Sequence, residues 1–152
     1  MKTYKPRFLF RNGDINTIYP GFFRKVNVKY TRERIELKDG DFLDIDRITK
    51  GNRKLAVLCH GLEGSSNSNY IRAAASLLSK NKYDIVAVNY RSCSGEINRL
   101  PRFYHAGATK DLGEVIEYIE KDYESIYLAG FSLGANLILK YLGVEALDNE
   151  KI

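Results

Sequence analysis

The chain has 152 residues, 44% of them hydrophobic, with eleven Tyr and seven Phe; that is enough apolar and aromatic area for one domain with its own core and excludes a disordered chain. No apolar run approaches the ~20 residues of a membrane-spanning helix, and Met1-Lys2-Thr3-Tyr4-Lys5-Pro6 lacks the apolar stretch of a signal peptide. Two cysteines are too few for a disulfide scaffold and are not spaced for zinc, so the expectation is a cytoplasmic protein without a metal.

Residues 1–50 hold twelve Lys and Arg against seven Asp and Glu, whereas residues 51–152 hold twelve of each, so the net charge of +5 lies in the first third of the chain. A solvated basic head accounts for this, with contact to anionic lipid as the alternative, and nothing calls for nucleic acid. Residues 1–21, with Pro6, Gly13, Pro20 and Gly21, read as an irregular lead-in. From Phe22 the texture becomes β. Val26–Tyr30, Arg34–Leu37 and Phe42–Asp46 alternate apolar and polar, and Lys38-Asp39-Gly40-Asp41 is a turn signal. The alternation predicts antiparallel strands wet on one face.

After Gly51 the pattern changes. Leu55–Cys59, Ile85–Val88 and Ile126–Ala129 are short, continuous apolar runs of the kind that form strands buried on both faces of a parallel sheet. Between them Tyr70, Ile71, Ala74, Ala75, Leu77 and Leu78 recur at helical spacing, as do Leu112, Val115, Ile116 and Ile119, and Ala135–Leu142 reads as a further helix. The order predicts an α/β protein in which antiparallel strands lead into a parallel sheet flanked by helices. Cys59 ends an apolar run and reads as a buried small hydrophobe.

Gly130-Phe131-Ser132-Leu133-Gly134 is a G-x-S-x-G pentapeptide between the last strand and the last helix. A serine on such a sharp turn takes a strained backbone, and Gly130 and Gly134 permit the close approach this requires. Its hydroxyl then stands at a helix N-terminus, where the first N–H groups and the helix dipole favour a developing negative charge. Ser132 is therefore the candidate nucleophile. The plainer alternative is a glycine-rich turn whose serine caps the helix.

A second motif, His60-Gly61-Leu62-Glu63-Gly64-Ser65, follows the strand Leu55–Cys59 directly. With an elbow serine, one oxyanion donor is the N–H of the next residue, Leu133; the other comes from this loop, by position the N–H of Leu62. Two such donors supply several kcal/mol of transition-state stabilisation. His60 reads as a histidine that pins the loop rather than as a catalytic group, and Gly61 supports the turn.

With both motifs in place, the chain resembles the YheT-like branch of the α/β-hydrolases, which also takes in membrane-anchored eukaryotic lipases and esterases. The likeness runs through Asn12-Gly13 with Thr17-Ile18-Tyr19-Pro20, Asp39-Gly40-Asp41-Phe42, the His60–Ser65 loop, Asn89–Glu96, Tyr104-His105 with Asp111-Leu112, and Gly130–Asn136. The resemblance implies hydrolysis of carboxylic esters without a cofactor, on small-molecule or lipid-like substrates, with at most peripheral membrane contact.

Members of the branch run to about twice this length and carry their triad in the order Ser, acid, His. Here no His follows position 105, and the acids after Ser132 are Glu145, Asp148 and Glu150, too near it to sit on a later strand. Residues 1–152 thus read as a single incomplete α/β-hydrolase domain, with 22–152 forming the first half of the sheet and its helices, truncated after the elbow helix. On this reading the isolated chain lacks the triad acid and base and is inactive, since a serine hydroxyl without a base is a weak nucleophile. His105 as a substitute base ranks below His105 as a polar loop residue. A different class of function stays open: a non-catalytic binding or interaction module that keeps the hydrolase framework and has its exposed edge strand, Ile126–Ala129, covered by a partner.

Overall fold

The computed structural model describes residues 5–23 and 26–152; Met1–Tyr4, and Arg24 and Lys25 of the basic head, lie outside the described residues. Among the described residues five strands form one sheet in the order β1-β2-β4-β3-β5: β1 Thr31–Glu36, β2 Phe42–Ile48, β3 Lys54–Cys59, β4 Asp84–Asn89 and β5 Ser125–Gly130. β1 pairs with β2 and β2 with β4 antiparallel, while β3 runs parallel to both β4 and β5. Among the described residues four α-helices accompany them: α1 Gly13–Phe23, α2 Asn69–Lys80, α3 Thr109–Ile119 and α4 Leu133–Val144. The antiparallel lead-in, the three parallel strands and the last three helices stand where their periodicities put them, but β5 is not buried on both faces as expected, because it lies at a sheet edge and leaves Tyr127 exposed.

The apolar runs of β3 and β4 are buried on both faces because consecutive side chains alternate between two helix layers. Leu55, Val57 and Cys59 of β3 and Val86 and Val88 of β4 pack against Leu112, Val115 and Ile116 of α3 and Leu137, Ile138 and Tyr141 of α4. The intervening Ala56, Leu58, Ile85 and Ala87 pack against Ile71 and Ala75 of α2. Each such Leu or Ile contributes about 1.5–3 kcal/mol through burial. Cys59 is fully buried, and burial pushes its thiol up to about 12, so it is inert.

Three other expectations need correction. Residues 13–21 are not irregular and Phe22 does not begin a β segment: α1 runs to Phe23, and the Asn12 side chain caps it by accepting the N–H groups of Asp14 (2.9 Å) and Ile15 (3.2 Å). Val26–Tyr30 alternates in burial but is no strand, because the ladder of β1 with β2 begins only at Thr31, opposite Arg47. β2 is not wet on one face either, since Asp44 and Asp46 are buried. Their register partners Arg34 and Arg32 bond them from β1 (Arg34 Nε–Asp44 Oδ1 2.8 Å, Arg32 Nη2–Asp46 Oδ2 2.9 Å). Ser66 Oγ and Asn89 Nδ2 also donate to Asp46, at 2.5 and 2.9 Å, which satisfies the carboxylates away from water.

A second buried ionic cluster holds the segment between β4 and α3. Arg91, 1% exposed, donates to both oxygens of Asp111 in the first turn of α3 (2.7 and 2.9 Å) and to Asp41 (2.6 Å) and Asp39 (2.8 Å) in the β1–β2 turn. Burial works against the Asp41 carboxylate. Hydrogen bonds from Asn98, Arg99 N–H and Phe42 N–H, with the Arg91 charge, outweigh it and hold its pKa at about 2.

The topology fixes where a site can form. β3 leads through α2 to β4 on one side of it, and β4 leads through α3 back past β3 to β5 on the other. The loops leaving the neighbouring ends of β3 and β5 therefore diverge, at Cys59↔Gly130, and such a switch point is where open α/β sheets bind ligands. β5 lies at one edge of the sheet, with β1 at the other; the chain's own tail covers part of β5, with Ile126 N–H donating to the Lys151 carbonyl at 2.6 Å. Among the described residues no helix is long and apolar enough to cross a membrane.

Candidate active site

Beyond Gly130 the chain turns sharply through Phe131 and Ser132 into α4. Ser132 has φ 51° and ψ −116°, a region that costs a non-glycine residue about 1–3 kcal/mol. Close packing enforces it. A Cβ on Gly130 would stand 2.5 Å from the Gly134 carbonyl group, and one on Gly134 would meet the Cys59 carbonyl oxygen and stand 2.5 Å from that of His60. Phe131 N–H also donates to the Cys59 carbonyl at 3.1 Å, which locks the elbow against the end of β3.

Ser132 is exposed and sits at the cap position of α4, yet its side chain makes no capping bond, and its Oγ has no hydrogen-bond partner among the described residues. The plain capping reading therefore does not hold. In the first turn of α4, Gly134 N–H donates to Phe131 O, and Ala135 and Asn136 N–H donate to Ser132 O. The N–H of Leu133 is the one left without an acceptor among the described residues.

The His60–Ser65 loop faces this turn: a Cβ on Gly61 would lie 3.4 Å from Phe131 O and 3.5 Å from Ser132 Cβ. His60 is fully buried. Its Nδ1 lies 2.7 Å from Gly61 O, which can only accept, while its Nε2 faces the N–H of Tyr90 at 3.3 Å, so the imidazole is the neutral Nδ1–H tautomer. Burial lowers its pKa, with the bond to Gly61 working against that. Both nitrogens are engaged, Nδ1 with the loop at Gly61 and Nε2 with Tyr90 just beyond β4, so His60 ties the loop to the neighbouring strand end.

The Gly61 carbonyl also takes the N–H of Gly64 at 3.1 Å. A peptide unit is planar and trans, so two donors on that carbonyl fix the opposite direction of the Leu62 N–H. Gly61 N–H donates to Tyr70 Oη at 3.0 Å and Glu63 N–H to Tyr104 Oη at 2.8 Å. Leu62 N–H, between them, has no acceptor among the described residues.

His105 lies near but is not joined to the serine. Its Nδ1 accepts Gly107 N–H at 3.1 Å, and its ring lines a small apolar cavity with Leu133, Leu137, Tyr90 and Tyr104. No hydrogen bond connects it to Ser132 among the described residues. Glu145, after the nucleophile in sequence, is bonded to Thr109 Oγ1. No group of acids, His and Cys among the described residues is arranged to hold a metal.

The model of the alpha/beta hydrolase fold matches residues 55–152, from the strand before the loop through the elbow helix. The chain belongs to the alpha/beta hydrolase family. It is 35% identical over 147 residues to the putative esterase YheT of Escherichia coli, across 91% of this chain and 43% of that protein. It is 29% identical over 164 residues to the human monoacylglycerol lipase ABHD2, across 99% of this chain and 39% of that one. The chain thus spans less than half the length of these curated relatives. Among solved structures, the Pyrococcus furiosus esterase Pf2001 superposes with a TM-score of 0.67 at 21% identity, over 82% of this chain and 48% of that one. The serine hydrolase XC6422 of Xanthomonas campestris gives 0.63 at 24% identity, over 77% and 57%. These likenesses establish the fold, and the chain's two candidate motifs sit at its strand ends.

Sequence reasoning missed the two phenols. Tyr70 read as one apolar position of a helix and Tyr104 as part of a family segment. Neither has a local signal for a partner, because Tyr70 reaches back nine residues and Tyr104 forty-one.

Proposed function

We propose that this chain carries the nucleophile and oxyanion donors of a serine hydrolase acting on carboxylic esters, the esterase and lipase chemistry for which its relatives are named. The observation that carries this is an exposed Ser132 hydroxyl, unpartnered on a strained turn, beside a loop whose Leu62 N–H is as uncommitted as the Leu133 N–H. Ser132 Oγ attacks the ester carbonyl carbon, and the carbonyl π pair moves onto oxygen, where the two N–H groups hold it. Collapse expels the alkoxide, which leaves as the alcohol with the proton lost by the serine; water then releases the acid from the acyl-serine. The base that carries the proton is not His60, whose nitrogens are engaged, nor His105, which is bonded to Gly107. Among the described residues no group is hydrogen-bonded to Ser132 Oγ to take that proton.

A serine with oxyanion donors but no base retains a residual rate of roughly 10³–10⁴ over water. A fluorophosphonate probe should therefore phosphonylate Ser132 of this chain at least about 10²-fold faster than it labels the urea-unfolded chain, with loss of all labelling in Ser132→Ala. Turnover of p-nitrophenyl butyrate should be negligible. No labelling above the unfolded control would favour a non-catalytic binding module, and turnover abolished by His105→Ala would overturn the assignment of the base.

A further inference from the structure

The oxyanion loop presents three consecutive N–H groups, from Gly61, Leu62 and Glu63, but the proposed chemistry uses only the middle one. The outer two are taken by phenol oxygens from separate parts of the fold: Tyr70 from the first turn of α2 and Tyr104 from the segment before α3. We propose that Tyr70 and Tyr104 are positioning residues that clamp the loop from both sides so that Leu62 alone points its N–H at the reacting oxygen. The inference rests on the esterase reading above and adds to it the groups that set the donor.

Three observations support the clamp. Glu63 has φ 54°, a left-handed conformation unfavourable for a residue with a side chain; the bond from its N–H to Tyr104 is what holds it there. Gly64 is packed beneath the other phenol, since a Cβ there would stand 2.7 Å from Tyr70 Oη, so the loop is shaped around that hydroxyl. Both rings are themselves fixed. Tyr70 packs on Phe131 (centroids 4.9 Å), the residue before the nucleophile, and Tyr104 packs on Tyr90 (5.2 Å), which in turn packs on His60 (4.1 Å). The Arg91 cluster anchors the segment that carries Tyr104 at both ends, at Arg91 and at Asp111. The clamp therefore references the oxyanion donor to the elbow on one side and to the β4–α3 segment on the other.

In chemical terms each phenol acts as an acceptor. Without Tyr104 Oη the Glu63 N–H is freed, the left-handed turn relaxes, and the peptide carrying the Leu62 N–H loses its direction. Phenylalanine keeps the ring and its packing but lacks the acceptor, so Tyr→Phe separates positioning from folding.

The test is an amide spectrum of the ¹⁵N-labelled chain before and after phosphonylation of Ser132, in wild type, Tyr104→Phe and Tyr70→Phe. In wild type the Leu62 and Leu133 amide protons should both move downfield as the phosphonyl oxygen enters between them. In each variant the Leu133 shift should persist while the Leu62 shift falls to less than half, and labelling should slow by about 10-fold with the remaining spectrum unchanged. A Leu62 shift and labelling rate equal to wild type in both variants would overturn the clamp. If neither amide moves in the wild-type adduct, the esterase reading itself fails, and the clamp with it.

Discussion

At the end of β5 the chain is shaped by what its residues lack, and at the end of β3 by what distant side chains hold. The elbow is held by backbone against backbone: Gly130 on Gly134, and Gly134 on the carbonyls of Cys59 and His60, with no side-chain bond to Ser132 among the described residues. The facing loop is held almost wholly by side chains, with His60 on Gly61 O, Tyr70 on Gly61 N–H and Tyr104 on Glu63 N–H. A backbone contact leaves no slack, which suits a nucleophile whose strain must be maintained. Hydrogen bonds to side chains can fix the direction of a single N–H while its neighbours are kept occupied.

The sharpest way to break the comparison is to add one methyl group to each half. Gly134→Ala places a carbon against two carbonyl groups that cannot move independently of β3, and should cost about 3 kcal/mol or more in urea unfolding. Gly64→Ala is crowded less severely, by the tip of the Tyr70 side chain at 2.7 Å and then by the His60 ring at 3.0 Å and the Gly61 carbonyl at 3.1 Å, and should cost only about 1 kcal/mol. If the two substitutions moved the urea midpoint equally, the contrast between a backbone-locked turn and a side-chain-held loop would be wrong.

A smaller effect isolates the stored strain. Ser132→Ala keeps the Cβ that makes φ 51° unfavourable, so its stability should match wild type. Ser132→Gly removes the Cβ and should gain about 1–2 kcal/mol. Both should lose phosphonylation completely. A glycine variant no more stable than the alanine one would show that the elbow carries no such strain.

This contrast also explains what was legible in the sequence. The elbow is a local device, so five consecutive residues between an apolar run and a helical pattern announced it. The β3 and β4 strands were equally plain, since burial on both faces leaves a continuous apolar run; β5 shows the same run, yet its place at a sheet edge leaves Tyr127 exposed. The loop motif announced itself through His60 and its glycines, but its clamp did not, because Tyr70 and Tyr104 carry no local mark of the N–H groups they accept. Likewise the alternation in β2 predicted a wet face where Asp44 and Asp46 are buried; only the register with Arg34 and Arg32 on β1 reveals that their charges are matched. In α1 the residues Gly13, Pro20 and Gly21 read as an irregular lead-in, and only the hydrogen bonds from Asp14 and Ile15 N–H to the Asn12 side chain reveal the helix cap.

The last prediction concerns pH and touches only the side-chain-held half. Burial holds the His60 pKa below its ordinary value of 6.5, so the unfolded chain takes up this proton more readily than the folded one. The stability His60 contributes is therefore complete above about pH 6.5 and declines as pH falls toward the lowered folded value, at up to about 1.4 kcal/mol per pH unit. The physical origin is specific. Nδ1 keeps its proton and its bond to Gly61 O in either form, whereas protonation of Nε2 removes the lone pair that accepts Tyr90 N–H. His60→Asn retains a donor near Gly61 O but cannot titrate. Carboxylates with lowered pKa, Asp41 among them, weaken both proteins in acid, so the informative quantity is the difference between the two. Urea unfolding from pH 7.5 to 5 should show the wild type losing stability more steeply than the variant below about pH 6.5. Parallel curves would mean that the loop tolerates a protonated His60, and that the Tyr90 N–H bond plays no part in holding it.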